Sequence, residues 1–267
     1  MTAPRVEPER ESRYRGSMAR YDFRTPRLYL DAPLDRGTRI ETDKNQANYL
    51  LNVLRLDNSG KVLLFNGRDG EWLADIERQG KKKCALVPVS QTRQQPEASE
   101  LIYCFAPLKH ARLDYMVQKA VEMGAGVLQP ILTHHTQNSR VNIERIRANA
   151  IEAAEQCGIL SVPETREPIK FNVFLDQWNA DTRLVFCDES ASDKDTAHKL
   201  AELDGKKLAV LIGPEGGFSQ EERELLLSKS FVTTISLGPR ILRADTAAVA
   251  AFAVVQLIAG DWKQTKS

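Results

Sequence analysis

Apolar positions keep one period in the first third of the chain and another in the remainder. From Arg27 to about Thr92 they alternate in short runs bounded by turn residues, which predicts β-strands. Lys61 to Asn66 (KVLLFN) leads into the turn Gly67-Arg68-Asp69-Gly70, and Glu71 to Arg78 alternates around Trp72, Ala74 and Ile76. Gln79-Gly80 and a lysine run form the next turn, and Cys84 to Val89 closes a three-stranded meander. One helix is predicted before it, Asn45 to Leu54, ending at the basic Arg55. The segment reads as a small β-barrel-like module. Gln91 to Ser99 is polar, contains Pro96, and reads as a linker.

After Glu100 strands and helices alternate. Leu101 to Pro107 and Val127 to Leu132 are predicted strands. Leu113, Met116, Val117, Ala120 and Val121 share one face of a helix from Ala111 to Met123 that Gly124 ends, and Ile143 to Cys157 is a second amphipathic helix. Leu184 to Cys187 and Leu208 to Ile212 are continuous apolar runs, as expected of parallel strands buried on both faces, and Thr233 to Leu237 is one more short strand. The pattern predicts an α/β sheet covered by helices on both sides.

Composition narrows the class. With 42% hydrophobic residues in 267, the chain can bury sizeable cores in two domains. Its most apolar stretch, Thr246 to Ala259, falls short of the roughly 18 residues that a membrane span needs, and reads as a buried helix. Cys84, Cys104, Cys157 and Cys187 lie far apart, and His134-His135 has no ligand-spaced partner. A disulfide framework or structural zinc is therefore not expected, and the cysteines fit a reducing cytoplasm. The N-terminus lacks an apolar signal region, and Glu7, Glu9 and Glu11 argue against a mitochondrial presequence. Residues 1–20 read as a disordered tail, with Met18 as an alternative start. A formal net charge of +1 says nothing about nucleic acid. Basic residues do collect near the N-terminus (Arg5 to Arg27) and at Lys81-Lys82-Lys83, although a solvated tail and a hairpin tip account for both.

Two segments stand out from this scaffold. Leu211-Ile212-Gly213-Pro214-Glu215-Gly216-Gly217-Phe218-Ser219 leaves a buried strand and opens a helix whose start is specified by a Ser219/Glu222 capping box. Its glycines permit close backbone approach at the strand end, where ligands of open α/β sheets bind. It is neither a P-loop, lacking Gly-Lys-Ser/Thr, nor a G-x-G-x-x-G dinucleotide loop. Leu237-Gly238-Pro239-Arg240-Ile241-Leu242-Arg243-Ala244-Asp245-Thr246-Ala247 repeats the strand-loop-helix order, with Asp245 or Thr246 as expected helix cap. Ile241 and Leu242 are apolar residues in a loop, a feature that lining an adenine pocket would explain, and Arg240 and Arg243 place cations beside them.

Together, LIGPEGGFSQEE and LGPRILRADTA resemble the RsmE family of 16S ribosomal RNA uridine-N3 methyltransferases, of the SPOUT class. The resemblance extends to Gln118 to Gly124, Glu155 to Gly158, Val162 to Glu164, Pro26 to Leu28 and Val53 to Arg55. It implies a PUA-like RNA-binding β-domain over 21–92 and a SPOUT methyltransferase domain over 100–267, with a trefoil-knotted parallel sheet. It also implies a cytoplasmic homodimer that acts on the small ribosomal subunit with S-adenosyl-L-methionine and no metal. Gly213, Glu215, Gly216 and Gly217 would form one cofactor loop and Leu237, Gly238, Ile241 and Leu242 the other, with the Leu184 to Asp188 strand end as a third wall.

Chemistry assigns further roles. Uridine N3 must lose an imide proton, and a cation at the uracil carbonyls stabilises the anion. Arg243 is the candidate cation, and Asp245 its orienting partner, a proton acceptor or a plain cap. Candidate RNA contacts are Arg27, Arg55, Lys109, Lys119, Arg140 and Arg240. Family members often read L-R-T-E-T or L-R-T-E-A where this chain has Leu242-Arg243-Ala244-Asp245-Thr246, and carry an arginine where it has Ile159. Two other readings remain: a SPOUT enzyme methylating a ribose 2′-hydroxyl, disfavoured by the missing serine-leucine-asparagine run, and a non-catalytic RNA-binding assembly factor, disfavoured by the intact glycine loop.

Overall fold

The computed structural model describes residues 24–138, 140–191 and 195–262. The tail expected over 1–20 lies outside the described residues. The chain begins with β1 (Arg27–Tyr29), β2 (Ile40–Glu41) and α1 (Lys44–Asn48). Asp43 starts α1 earlier than the apolar spacing suggests, because its carboxylate accepts from the N–H groups of Asn45 (2.7 Å) and Gln46 (2.8 Å) while Gln46 reaches back to the Asp43 N–H. The expected single helix continues instead as one π-helical turn, Tyr49–Val53, and the chain leaves it through Arg55 with φ 56°.

β3 (Lys61–Phe65), β4 (Glu71–Arg78) and β5 (Cys84–Arg93) form the expected meander. With β1 parallel to β3 and β2 antiparallel to β5, they make a five-stranded sheet in the order β1-β3-β4-β5-β2. Alternation puts Val62, Leu64, Ala74, Ile76, Cys84 and Leu86 into one core with Leu50 and Leu51. β5 is longer than the sequence suggests and takes in the start of the expected linker. The cause is Glu71, which accepts from the Thr92 hydroxyl (2.9 Å) and from Arg93 (3.0 and 2.5 Å) and so holds the polar end of β5 against β4.

β6 (Ile102–Phe105), α2 (His110–Glu122), β7 (Val127–Leu132), α3 (Ile143–Cys157), β8 (Glu164–Thr165), β9 (Ile169–Lys170) and α4 (Phe171–Asp176) follow. Then come β10 (Thr182–Cys187), α5 (Thr196–Ala201), β11 (Lys207–Ile212), α6 (Gln220–Leu227), β12 (Val232–Ile235) and α7 (Ala244–Ala259). Their seven-stranded sheet runs β12-β10-β11-β6-β7-β8, with β9 also on β7, and every pairing in it is parallel. Side chains of each strand alternate between two cores. Tyr103, Phe105, Val185, Val210 and Ile212 pack with α2, α3 and α7, while Cys104, Leu184, Phe186, Ala209 and Leu211 pack with α4 and α6. The apolar runs read as doubly buried strands are the middle of this three-layer arrangement. No helix among the described residues is long and apolar enough to cross a membrane.

The two sheets are joined by specific contacts. Phe65 of β3 belongs to the core of α2, α3 and α7, and the Tyr29 N–H donates to the Glu155 carboxylate on α3 at 2.8 Å. Arg93 donates to the Gly158 carbonyl at 2.9 Å, while inside the smaller sheet Arg27 donates to Glu71 at 3.0 Å. Burial alone would raise the Glu71 pKa, yet hydrogen bonds from Arg93, Thr92 and Arg27 outweigh it and hold the carboxyl below its ordinary value. The stability it contributes is therefore present at neutral pH and lost as pH falls through that lowered value, below the usual ~4.3. Glu71→Gln leaves the Arg27 guanidinium buried without its carboxylate, and should lower the urea-unfolding free energy at pH 7 by about 3–5 kcal/mol. A change under about 0.5 kcal/mol would mean that surrounding groups compensate.

Candidate active site

Because β10 pairs in parallel with both β11 and β12, the loops that leave these three strands open on the same edge of the sheet. Between them lies a cleft of about 410 Å³, a size suited to a cofactor. One wall is Cys187 to Glu189 after β10, the second Ile212 to Glu215 with Gly217 after β11, and the third Ser236 to Gly238 and Arg240 to Ala244 after β12. Arg112, in the first turn of α2, and Ala247 of α7 complete the lining.

The β11 loop is a tight turn. The Gly217 N–H donates to the Pro214 carbonyl at 2.9 Å, and Gly217 takes φ 69°, a backbone setting that a side chain would strain. The capping box of α6 forms as its residues predict: Ser219 Oγ accepts from the Glu222 N–H at 3.2 Å, and the Glu222 carboxylate accepts from the Ser219 N–H at 3.0 Å. In the β12 loop Gly238 takes φ 104°, and Ile241 is 93% exposed. An apolar side chain left in water at the mouth of a cleft is a surface awaiting a contact.

Charges alternate around the cleft. Asp188 is 3% exposed, accepts from Arg223 of α6 at 3.0 and 2.8 Å, and accepts from the Ser190 N–H at 3.0 Å. That carboxylate raises the Arg223 pKa, and the two hydrogen bonds brace the β10 loop against α6. Arg112 and Glu215 form an ion pair across the opening, both partly exposed. Arg240 and Arg243 stand exposed at the rim. Burial pushes the Cys187 thiol up to about 12, so it is not a nucleophile at neutral pH. Among the described residues no cluster of His, Cys, Asp and Glu could hold a metal ion.

Seven of the eight expected cofactor residues thus line one cleft: Gly213, Glu215, Gly217, Leu237, Gly238, Ile241 and Leu242. Gly216 does not. A Cβ there would lie 3.3 Å from the His135 Cβ, outside the lining. Arg243 lines the cleft but Asp245 does not, and neither Asp245 nor Thr246 is the cap of α7. The extended backbone persists to Arg243, the buried Ala244 begins the helix, and the Asp245 carboxylate accepts from the Thr246 N–H at 2.8 Å. A carboxylate in the first turn still favours the helix through its dipole.

The expected RNA contacts separate. Arg27 cannot meet a phosphate: its side chain is 5% exposed and pairs with Glu71 inside the smaller sheet. Lys119 is paired with Glu122 at 2.6 Å and sits over the Tyr115 ring. Arg55, Lys109 and Arg140 are exposed. The Asn138 amide donates to the Leu108 carbonyl at 3.4 Å, which ties the loop after β7 to the segment before Lys109. Sequence reasoning missed Arg112, Glu189 and Arg223. They lie on a helix turn, a loop and a helix with no local motif; the sheet order brings Arg112 and Glu189 into the cleft lining and Arg223 onto Asp188 behind it.

Known proteins share these features. Residues 95–256 match the RNA methyltransferase domain model, and residues 42–89 match the RNA methyltransferase PUA domain model. Ribosomal RNA small subunit methyltransferase E of Rickettsia conorii is 32% identical over 234 residues, covering 87% of this chain and 95% of that one. A Legionella pneumophila protein solved with bound SAM is 29% identical, with a TM-score of 0.77 over 87% of this chain and 97% of that one. A Neisseria gonorrhoeae ribosomal RNA small subunit methyltransferase E bound to S-adenosyl methionine is 24% identical. It superposes with a TM-score of 0.75 over 90% of this chain and all of the other, a likeness of fold. With both domain models matched in order and a relative aligned over nearly its whole length, the chain belongs to the ribosomal RNA small subunit methyltransferase E family.

Proposed function

We propose that this protein transfers a methyl group from S-adenosyl-L-methionine to N3 of a uridine in the 16S RNA of the small ribosomal subunit, as a homodimer in the cytoplasm. The observation that carries the reading is the cleft itself, with an apolar shelf and a tight glycine turn facing each other and arginines at the rim. Leu237, Ile241 and Leu242 would take an adenine ring, and the Gly213 to Gly217 turn lets the ligand approach the backbone. Glu189 and Glu215 would face the positive end of the cofactor. When bound, the cofactor supplies an electrophilic methyl on a sulfonium.

The chain's own part is alignment and charge. Holding a nucleotide in line with the methyl is worth up to roughly 7–11 kcal/mol in ideal cases. Arg243 is placed to stabilise the uracil oxygen charge that develops as N3 loses its proton. Asp245, with its carboxylate on the Thr246 N–H, secures the helix terminus beside Arg243. Arg55, Lys109, Arg140 and Arg240 are exposed and available to phosphates, and this part of the affinity should weaken with salt. The reading includes the knot. After β12, on the edge of the sheet, the chain returns as α7 to pack on α2, α5 and β11, the course that threading would impose.

The dimer is supported by α7. Its buried face carries Ala248, Ala251, Phe252 and Val255, while Ala250, Ala253, Val254, Leu257 and Ile258 are at least partly exposed, with Leu257 at 63%. A helix apolar on all sides is normally covered on all sides, and a second copy would cover this one.

Small subunits from cells lacking the enzyme, incubated with labelled cofactor, should yield N3-methyluridine on nucleoside analysis. Arg243→Ala should lose about 10²–10³-fold in kcat/KM, whereas Asp245→Asn should lose less than about tenfold. Label in a 2′-O-methyl nucleoside, or wild-type kcat/KM in Arg243→Ala, would sink the assignment. In light scattering, Leu257→Glu should shift the protein from dimer to monomer; a wild-type monomer at micromolar concentration would remove the dimer from the reading.

A further inference from the structure

We propose that His135, on the loop after β7, is a positioning residue that holds the glycine turn of the cleft in its ligand-accepting shape. The inference rests on the reading of the cleft as a cofactor site, and adds a residue that lies outside the lining and outside both loop motifs.

His135 is exposed, yet it is held. Thr133 and Thr136 close a small turn around it: the Thr136 N–H donates to the Thr133 carbonyl at 3.1 Å, and the Thr133 N–H donates to the Thr136 hydroxyl at 2.8 Å. The neighbouring His134 N–H donates to the Glu222 carboxylate at 2.8 Å, the same carboxylate that caps α6. The two imidazoles meet edge to face at 4.7 Å. From this seat His135 Nδ1 lies 3.0 Å from the Gly217 carbonyl. A carbonyl only accepts, so the ring proton is on Nδ1.

Among the described residues, no other hydrogen bond is made to the Gly217 carbonyl. The Gly217 N–H is used within its own turn, on the Pro214 carbonyl, and the opposite flank of Gly217 is occupied by Glu189, whose carboxylate lies 2.7 Å from where a Cβ would stand. His135 takes the remaining carbonyl. The Cβ of the same histidine packs on Gly216, where an added Cβ would lie 3.3 Å from it. Gly216 therefore accommodates His135, and Gly217 shapes the cleft. Because the imidazole is absent from the lining, it acts through the turn and not on the reacting atoms.

Removing the donor should free the turn to sample other peptide orientations. The expected effect is on affinity: His135→Leu raises the Kd for S-adenosyl-L-methionine about tenfold by calorimetry, with kcat at saturating cofactor within about twofold. His135→Asn, whose amide N–H can reach the same carbonyl, should restore Kd to within about threefold of wild type. Hydrogen exchange of residues 213–217 in the cofactor-free protein gives a second readout, and His135→Leu should speed it about tenfold. Unchanged exchange and Kd in His135→Leu would overturn the proposal, as would His135→Asn failing as badly as His135→Leu, or a loss confined to kcat. If wild-type protein binds no S-adenosyl-L-methionine, the cofactor reading fails, and the exchange measurement still decides whether His135 holds the turn.

Discussion

Parallel hydrogen bonding sets β10 between β11 and β12, with Phe186 level with Leu211 and Cys187 level with Ile235. Every other property of the cleft follows from that register. Parallel strands send their carboxyl ends to one edge, so loops separated by as many as 50 residues in sequence become the walls of one space. The burial of these strands on both faces is what makes the register firm. A slip of one residue would exchange the Val185–Val210 layer under α7 with the Leu184–Ala209 layer under α4 and α6, and both cores would fail together.

On this fixed edge the charges are arranged in pairs with different degrees of freedom. Asp188 and Arg223 are bound by two hydrogen bonds and largely withdrawn from water, so they act as a brace. Arg112 and Glu215 are each partly solvated, an arrangement in which an ion pair contributes little to stability and exchanges partners readily. Arg240 and Arg243 reach solvent beside the apolar Ile241. The cleft thus combines a rigid floor with an adaptable rim, which suits a small bound cofactor and a large arriving substrate.

The smaller sheet is fastened to this body by Arg93, which donates to the Gly158 carbonyl, by a hydrogen bond from the Tyr29 N–H to Glu155, and by Phe65 inserted into the larger core. Such a joint holds the exposed Arg55 in a defined relation to the cleft. Arg27, a phosphate contact by residue type, is structural within the smaller sheet: a guanidinium so deeply buried needs a carboxylate, and Glu71 is that carboxylate.

Much of the fold was legible in the chain itself. Period-two and period-3.6 patterns located the meander of β3 to β5, helices α2 and α3 and the doubly buried strands, because these elements are specified by which side chains must leave water. The two loops were legible because glycine spacing, a capping box and stranded apolar residues are local features. Four things were not legible. The π-helical turn before Arg55, the extension of β5 onto Glu71, the start of α7 at Ala244 and the pairing of His135 with Gly217 each depend on a partner distant in sequence or on the balance of competing backbone hydrogen bonds. The sequence determined the elements and their chemistry through local patterning. Only the tertiary structure decided which arginine is buried, which glycine faces the cleft and which histidine holds it, because those depend on distances that sequence spacing does not encode.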